Sequence, residues 1–535
     1  MGSPMEYRRL RAPSRHGEIL TDPPLTEVGP LIQYNESLRA QYAYDFQGHS
    51  LSDCAATARN ELLDLATQYT RSYRDIGDSL VKQQRIFLAG HQPELYHAGV
   101  WFKSFVLSQL AKKHQAVGIN LIIDNDRVQN PAINVPVGSL EKPRVTRIAM
   151  DREQQACPFE ERECQDLALF NSFATRVATA VSPFESDPLI LRLWPHAMTA
   201  LSETPKLGQS IARARHQFEA ECGLETCEVP LSLLCSTWSF YHFASHLLAH
   251  LPRFHQAYNE ALGEYRRVHR LRNIAQPLPD LASESEWLEA PFWLWSAGDP
   301  TRRRVYVKSQ AGHLRLKTGA GDPFILPISA DSSVNDAAQC LLKGPWKLRP
   351  RALVTTMYAR LMLSDLFLHG IGGAKYDQIA ERIVRNFFGF ELPQHLTVSA
   401  TMQLPLQLPE ARLEQLQNLN QQLRDLQFHP ERHVLESDRS QARPWIESKQ
   451  KWIHQESSDG SQLERHRAIE RANSALQCFV AEERRRLETR HLKLADQLPK
   501  NQLLSSREFP FCLYAKDFLV PLLLDLAEDS RCSHQ

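Results

Sequence analysis

The chain has 535 residues, room for about two to four domains of roughly 100 to 200 residues each, and its 62 Lys plus Arg balance 62 Asp plus Glu. That balance argues against general electrostatic attraction to nucleic acid or to an anionic membrane, and no run approaches the roughly 18 apolar residues of a membrane span. Met1 to Pro13 carries arginines with no apolar stretch behind them, and ten dilute cysteines suit reduced thiols, so a cytoplasmic protein is expected.

Residues 1 to about 50, rich in proline, arginine and polar residues, read as an extended arm packing on the body. A helix is predicted over Ser52 to Tyr73, with Ser52 as its cap and Leu62, Leu63, Leu65 and Ala66 as its apolar face. Together, 1–84 form an N-terminal arm and helix. An α/β core follows over 85–400. Ile86, Phe87 and Leu88 form a buried strand that Gly90 breaks. The helix from Trp101 to about His114 then repeats apolar residues at Phe102, Phe105, Val106, Leu110 and Ala111. A second apolar run, Ile119 to Ile123, ends in Asp124, Asn125 and Asp126. This is one strand–helix–strand unit, and it brings His91, Gln92, Glu94, His97 and the two aspartates to the carboxyl edge of a parallel sheet.

A mixed insertion, about 139–330, holds helices around Leu167 to Ala180 and Pro195 to Cys222, then a strand at Val229 to Leu234. Tyr241 to His269 reads as one long helical stretch, and Trp287 to Trp295 as a strand leading to hairpins over Arg302 to Ile328. Cys222, Cys227, Cys235, His242 and His246 have metal-ligand chemistry. Their irregular spacing favours buried thiols and helix-surface histidines over zinc. In 401–500, Leu413, Leu416, Leu419, Leu423 and Leu426 recur at threes and fours. A second helix from Gln462 to Leu498 carries Ile469, Leu476, Val480, Leu487 and Leu494. An antiparallel, coiled-coil-like arm is expected, joined by a polar connection containing Pro430 and Gly460, with a phase slip between Leu476 and Val480. The segment 501–535, with Arg507, Glu508, Phe509, Phe511 and Leu513, reads as docking back onto the core.

Polar residues at a carboxyl sheet edge can bind phosphate at a helix N-terminus, move protons or hold a metal. Gly90 and Gly99 lie too far apart for the dinucleotide or P-loop patterns. His97-Ala98-Gly99 is instead reminiscent of the His-x-Gly-His of HUP-type nucleotidyltransferases and ligases. His91 and His97 also read as plain loop histidines that cap the helix.

Three segments taken in order, Gly90-His91-Gln92, Asp124-Asn125-Asp126 and the stretch from Arg349-Pro350-Arg351 to Gly372-Gly373, resemble the cysteine-adding enzymes of bacillithiol biosynthesis, the BshC family. That family has a Gly-Gln-Gln-x-Gly loop, an Asp-x-Asp cluster and an Arg-Pro or Ser-Pro segment leading to a Gly-Gly turn. The resemblance runs from about Arg85 to Leu526. Here His91 replaces a glutamine, Pro93-Glu94 replaces small residues, and Asn125 stands where the family has histidine.

The resemblance implies a Rossmann-like core and a ligase that joins an amino acid such as cysteine to a small amino-sugar-like acceptor, with ATP or ADP as candidate cofactor and a homodimer through the helical arm. His91, His97, Asp124 and Asp126 would be catalytic. Gly90, Gln92, Glu94, Lys103, Arg351, Gly372, Gly373 and Lys375 would bind substrate or nucleotide, and no resident metal is expected. Gly372-Gly373 also reads as a tight turn between a helix ending near His369 and another beginning near Tyr376. A HUP-type nucleotidyltransferase and a non-catalytic scaffold that uses its arm are the competing functions.

Overall fold

Six strands form the central sheet of this computed structural model: β1 Ile19–Asp22, β2 Arg85–His91, β3 Ala116–Ile122, β4 Cys227–Pro230, β5 Leu366–His369 and β6 His395–Ala400. The structure describes residues 10–528, apart from 79–81, 274–275, 297, 311, 320–323, 327–334 and 455–461. The spatial order is β1-β6-β5-β2-β3-β4, and only β1 runs antiparallel to its neighbour. The chain steps from β2 to β3 to β4, then returns to the other side of β2 for β5 and β6. The order therefore reverses between β2 and β5. In open parallel sheets the two loops leaving such a pair diverge and leave a crevice at the carboxyl ends.

Helix α1, Ala98–Lys113, follows β2, and helix α2, Ile371–Phe388, follows β5. Trp101, Phe102, Phe105, Val106 and Leu107 of α1 are fully buried, as expected of a helix pressed between a sheet and further structure. Each large side chain so buried contributes about 1.5–3 kcal/mol relative to exposure. Every residue of β3 is buried, which explains its continuous apolar run.

The N-terminal segment supplies an edge strand of the sheet, since Ile19 to Asp22 pairs with Thr397 to Ala400. The expected arm thus packs on the body, though it is not extended throughout, since Val28–Ala40 is helical. The next long helix spans Leu51–Arg71, and Ser50 caps it, its Oγ accepting from the Asp53 amide at 3.1 Å. The expected cap at Ser52 is two residues late. The stretch from Tyr241 to His269 is two helices, Trp238–Ala249 and Leu251–Val268, because Pro252 fits only the opening turn of a new helix. The run expected as a strand to Leu234 ends at Pro230 and gives way to one helical turn. Leu366 to His369 is a strand, so Gly372-Gly373 lies in the first turn of α2 instead of between two helices.

A second sheet is wholly antiparallel, in the order Phe324–Leu326, His313–Lys317, Asp299–Gln310, Trp287–Ser296, Trp346–Pro350. Its register shifts between Ala290 and Trp293. Such bulges re-aim side chains. Ile328, the expected end of these hairpins, lies outside the described residues.

The chain divides into two compact units. The first comprises Met1–Val135, Thr146–Gln403 and Arg507–Gln535 and contains both sheets; the second comprises Pro136–Val145 and Leu404–Ser506. In the second, helices Leu413–Phe428 and Ala481–Leu504, with Val480 just before the latter, share an apolar contact of Leu419, Leu426, Val480 and Leu487. The phase slip appears as a 3-10 turn, Gln477–Val480, between Gln462–Leu476 and Ala481–Leu504. The expected polar connection contains a further helix, Arg439–His454. Its charged composition hid it, and Gly460 lies outside the described residues. Among the described residues no helix is long and apolar enough to cross a membrane.

Candidate functional site

A cavity of about 830 Å³ opens at the carboxyl ends of β2 and β5, where the strand order reverses. Gly90, His91 and Gln92 reach it from β2, Asn125 and Asp126 from the loop after β3, and His369 and Gly370 from β5. The first turns of both helices face it, through Gly99 and Val100 of α1 and Ile371, Gly372 and Gly373 of α2. Neither N-terminus receives a side-chain cap: His97 and Gly370 hold the capping positions without such a hydrogen bond. The positive ends of two helix dipoles therefore border one space.

The charge of the lining has one dominant sign. Lys103, Arg302, Arg304, Arg351, Lys375 and Arg507 face the cavity against two carboxylates, Asp126 and Glu508. Asp126 is already engaged, accepting from Arg302 Nη1 at 3.1 Å and from Gln92 Nε2 at 3.1 Å. The second sheet provides the facing wall. The bulge presents Trp293, whose indole lies against the guanidinium of Arg302 at 4.4 Å and that of Arg351 at 4.2 Å. Arg351 also donates to the buried Glu289 at 2.5 Å.

Burial tunes the titratable groups. His91 Nδ1 donates to the Gln92 carbonyl oxygen at 3.2 Å. Desolvation, with Lys103 nearby, drives its pKa down to about 3, so its ring is neutral near pH 7. Lys103 Nζ donates to the Gly90 carbonyl oxygen at 2.7 Å, and burial, then Arg215, lowers its pKa to about 8. Burial also lowers that of His97, whose Nδ1 has no hydrogen-bond partner among the described residues. Arg507 donates through Nη2 to Ser399 Oγ at 3.1 Å, while its Nη1 is buried with no hydrogen-bond partner among the described residues.

Of the residues nominated from sequence, His91, His97, Asp126, Gly90, Gln92, Lys103, Arg351, Gly372, Gly373 and Lys375 all line this cavity. Asp124 and Glu94 do not. Asp124 turns away to cap the helical turn Leu231–Leu234, accepting from the Ser232 amide at 2.9 Å and from Ser232 Oγ at 2.5 Å. Glu94 is exposed outside the lining. Sequence reasoning did not find Arg302, Arg304, His369 or Ser399. His369 had a local signal: it ends a short apolar run just before Gly370, as His91 follows Gly90.

Cys222, Cys227, Cys235, His242 and His246 do not converge as metal ligands among the described residues. The three thiols are buried, as expected, but the two histidines are core residues and not surface ones. His242 Nε2 donates to the Phe46 carbonyl oxygen at 3.3 Å, and His246 Nε2 meets Tyr44 Oη at 3.0 Å. Two other groups place ligand atoms within 4.8 Å: His369, Asp377 and His395, and His216, Glu219 and Glu228. Each has an arginine in the place of a cation. Arg360 pairs with Asp377, and Arg215 pairs with both Glu219 and Glu228. No protein-family model matches this chain, and no curated protein matches it significantly.

Proposed function

We propose that this chain is a condensing enzyme with a Rossmann-like core, similar to the cysteine-adding enzymes of bacillithiol-type thiol biosynthesis, and that its cavity takes a small anionic substrate together with ATP or ADP. One observation carries the reading: six cationic side chains and two uncapped helix N-termini converge where the parallel sheet reverses its order. Helix N-termini hold phosphate or carboxylate through free amides, and arginine adds bidentate donors. The strand order, two steps one way from β2 and two steps the other, supports the Rossmann-like description. Neutral His91 and His97 suit hydrogen bonding to charge that develops during acyl transfer, and Lys103, with its pKa near 8, suits exchange of a proton near neutrality. The acceptor amine and the amino acid would lie between these groups and the arginine wall.

A HUP-type nucleotidyltransferase is the second reading. The placement of His97 at the uncapped start of α1, on the cavity wall, favours it. Thermal shift of the full chain with ADP, ATP, cysteine and amino-sugar conjugates tests the main reading. A ligand at a hundred times its Kd adds about 2.7 kcal/mol of stability. Stabilisation by a nucleotide and by an amino-sugar conjugate is expected, and none by any of them defeats the reading. Release of pyrophosphate from ATP would favour the second.

A further inference from the structure

His369, at the carboxyl end of β5, lines the cavity beside Gly370. Its Nε2 lies 2.9 Å from Asp377 Oδ2, and Asp377, on α2, is buried. Burial alone would raise the Asp377 carboxyl, but Arg360, with His369 and His395, holds it well below the usual carboxylate range. The carboxylate is therefore an acceptor, the hydrogen of His369 sits on Nε2, and the Nδ1 lone pair is left available. Phe367 and His395 pack edge-on against the ring at 4.6 and 4.9 Å and fix its plane. Nδ1 faces the first turn of α2 at Gly373, where an added Cβ would collide with it. Only glycine at 373 lets the imidazole hold this position.

The geometry points to His369 as a proton-transfer residue of this cavity, with Asp377 as its positioning residue and Gly373 as the residue whose missing side chain lets the ring keep its place on the cavity wall. This rests on the cavity being a reaction site. The substrates have two parts: an amine, hydroxyl or thiol, and an acyl compound with an oxygen leaving group. The electron pair of the nucleophile forms a bond to the acyl carbon while Nδ1 takes its proton. The carbon–oxygen bond then breaks, the oxygen leaves with the electron pair, and the imidazolium returns the proton to it. Asp377 stabilises the transient imidazolium. A metal is not needed at this cluster, because Arg360 already supplies the positive charge at Asp377.

Diethyl pyrocarbonate, an electrophile that acylates neutral imidazole nitrogen, serves as the probe, with modification read by peptide mass spectrometry on the full chain at pH 7. His369 is expected to react within about tenfold of the exposed His466. Gly373→Ala should slow His369 at least tenfold and leave His466 unchanged. Asp377→Asn should slow His369 about tenfold at an unchanged rate for His466; should that variant not fold, Gly373→Ala decides alone. An inert His369 in the native chain, or one that reacts as fast in Gly373→Ala, overturns the proposal. ADP is added in a parallel arm. A reactive His369 that ADP does not protect counts against the nucleotide reading, while the Gly373 comparison still judges the dyad.

Discussion

Lys103 Nζ donates to the carbonyl oxygen of Gly90 at 2.7 Å, tying the second turn of α1 to the end of the strand before it, in a place where a charged amine is costly. Burial, then Arg215, lowers its pKa to about 8 from 10.5. The folded chain thus resists the proton. The stability contributed by the neutral amine is fully present above 10.5 and is lost as pH falls to about 8, below which the penalty stays constant. Lys103→Met should therefore raise unfolding stability at pH 7 by about 1–3 kcal/mol, measured by chemical denaturation. The same change should weaken ADP binding about tenfold. Calorimetric titration of the native chain should show affinity falling as pH rises through 8, and a flat profile in the variant.

Asp124 behaves in the opposite sense. Burial, then Glu160, raises its pKa to about 7 from 3.8. Its contribution to stability is present below 3.8 and is lost as pH rises to about 7. Asparagine can accept from the Ser232 amide and donate to Ser232 Oγ, so Asp124→Asn should reduce the loss of stability between pH 4 and 7. Because Asp124 caps a helical turn and does not face the cavity, ADP affinity should be unchanged. A tenfold weaker affinity in the folded variant would return Asp124 to the site.

Gly99 and Gly372 should respond differently to the same methyl group. A Cβ at Gly99 would fall on the Ala400 carbonyl oxygen, and one at Gly372 meets nothing within 4 Å. Gly99→Ala should cost about 1–3 kcal/mol through overpacking. Gly372→Ala, in a helix, should be neutral or stabilise by up to about 1 kcal/mol. Thermal melts of the two variants check the contrast.

The proposed homodimer has its footing in the second unit. Leu413, Leu435, Leu463 and Leu492 of that unit are 56%, 66%, 59% and 68% exposed, apolar surface that a second copy of the chain would cover. Light scattering at tens of micromolar should give twice the chain mass, and Leu463→Glu with Leu492→Glu should return it to one. A monomeric native chain would end the idea.

The β2–α1–β3 unit was legible because both strands are continuous apolar runs and a polar loop punctuates them. That brought Gly90, His91, Gln92, His97 and Asp126 to one edge by chain order alone. Asp124 went astray because it and Asp126 stand in a turn beyond β3, where the two-residue alternation that would align them no longer holds, and the partner that claims Asp124, Ser232, is remote in sequence. Arg302 and Arg507 were invisible as site residues for the same reason. One arrives from a hairpin of the second sheet and the other from a returning segment, and neither has a neighbour in sequence that announces its destination. His369 was hidden by the brevity of its strand, four residues in which no period can be read.

The returning segment has a temporal meaning. Phe511 stacks on Trp101 at 4.3 Å and its amide bonds to the Tyr96 carbonyl oxygen at 2.9 Å, which sets Arg507 and Glu508 at the cavity rim. These groups are translated only after residues 404–506, long after β2, β3 and β5 can pair. A nascent chain therefore carries an unfinished site through the synthesis of more than a hundred residues. If the cavity takes the proposed anion, its capture waits for Arg507 to be made.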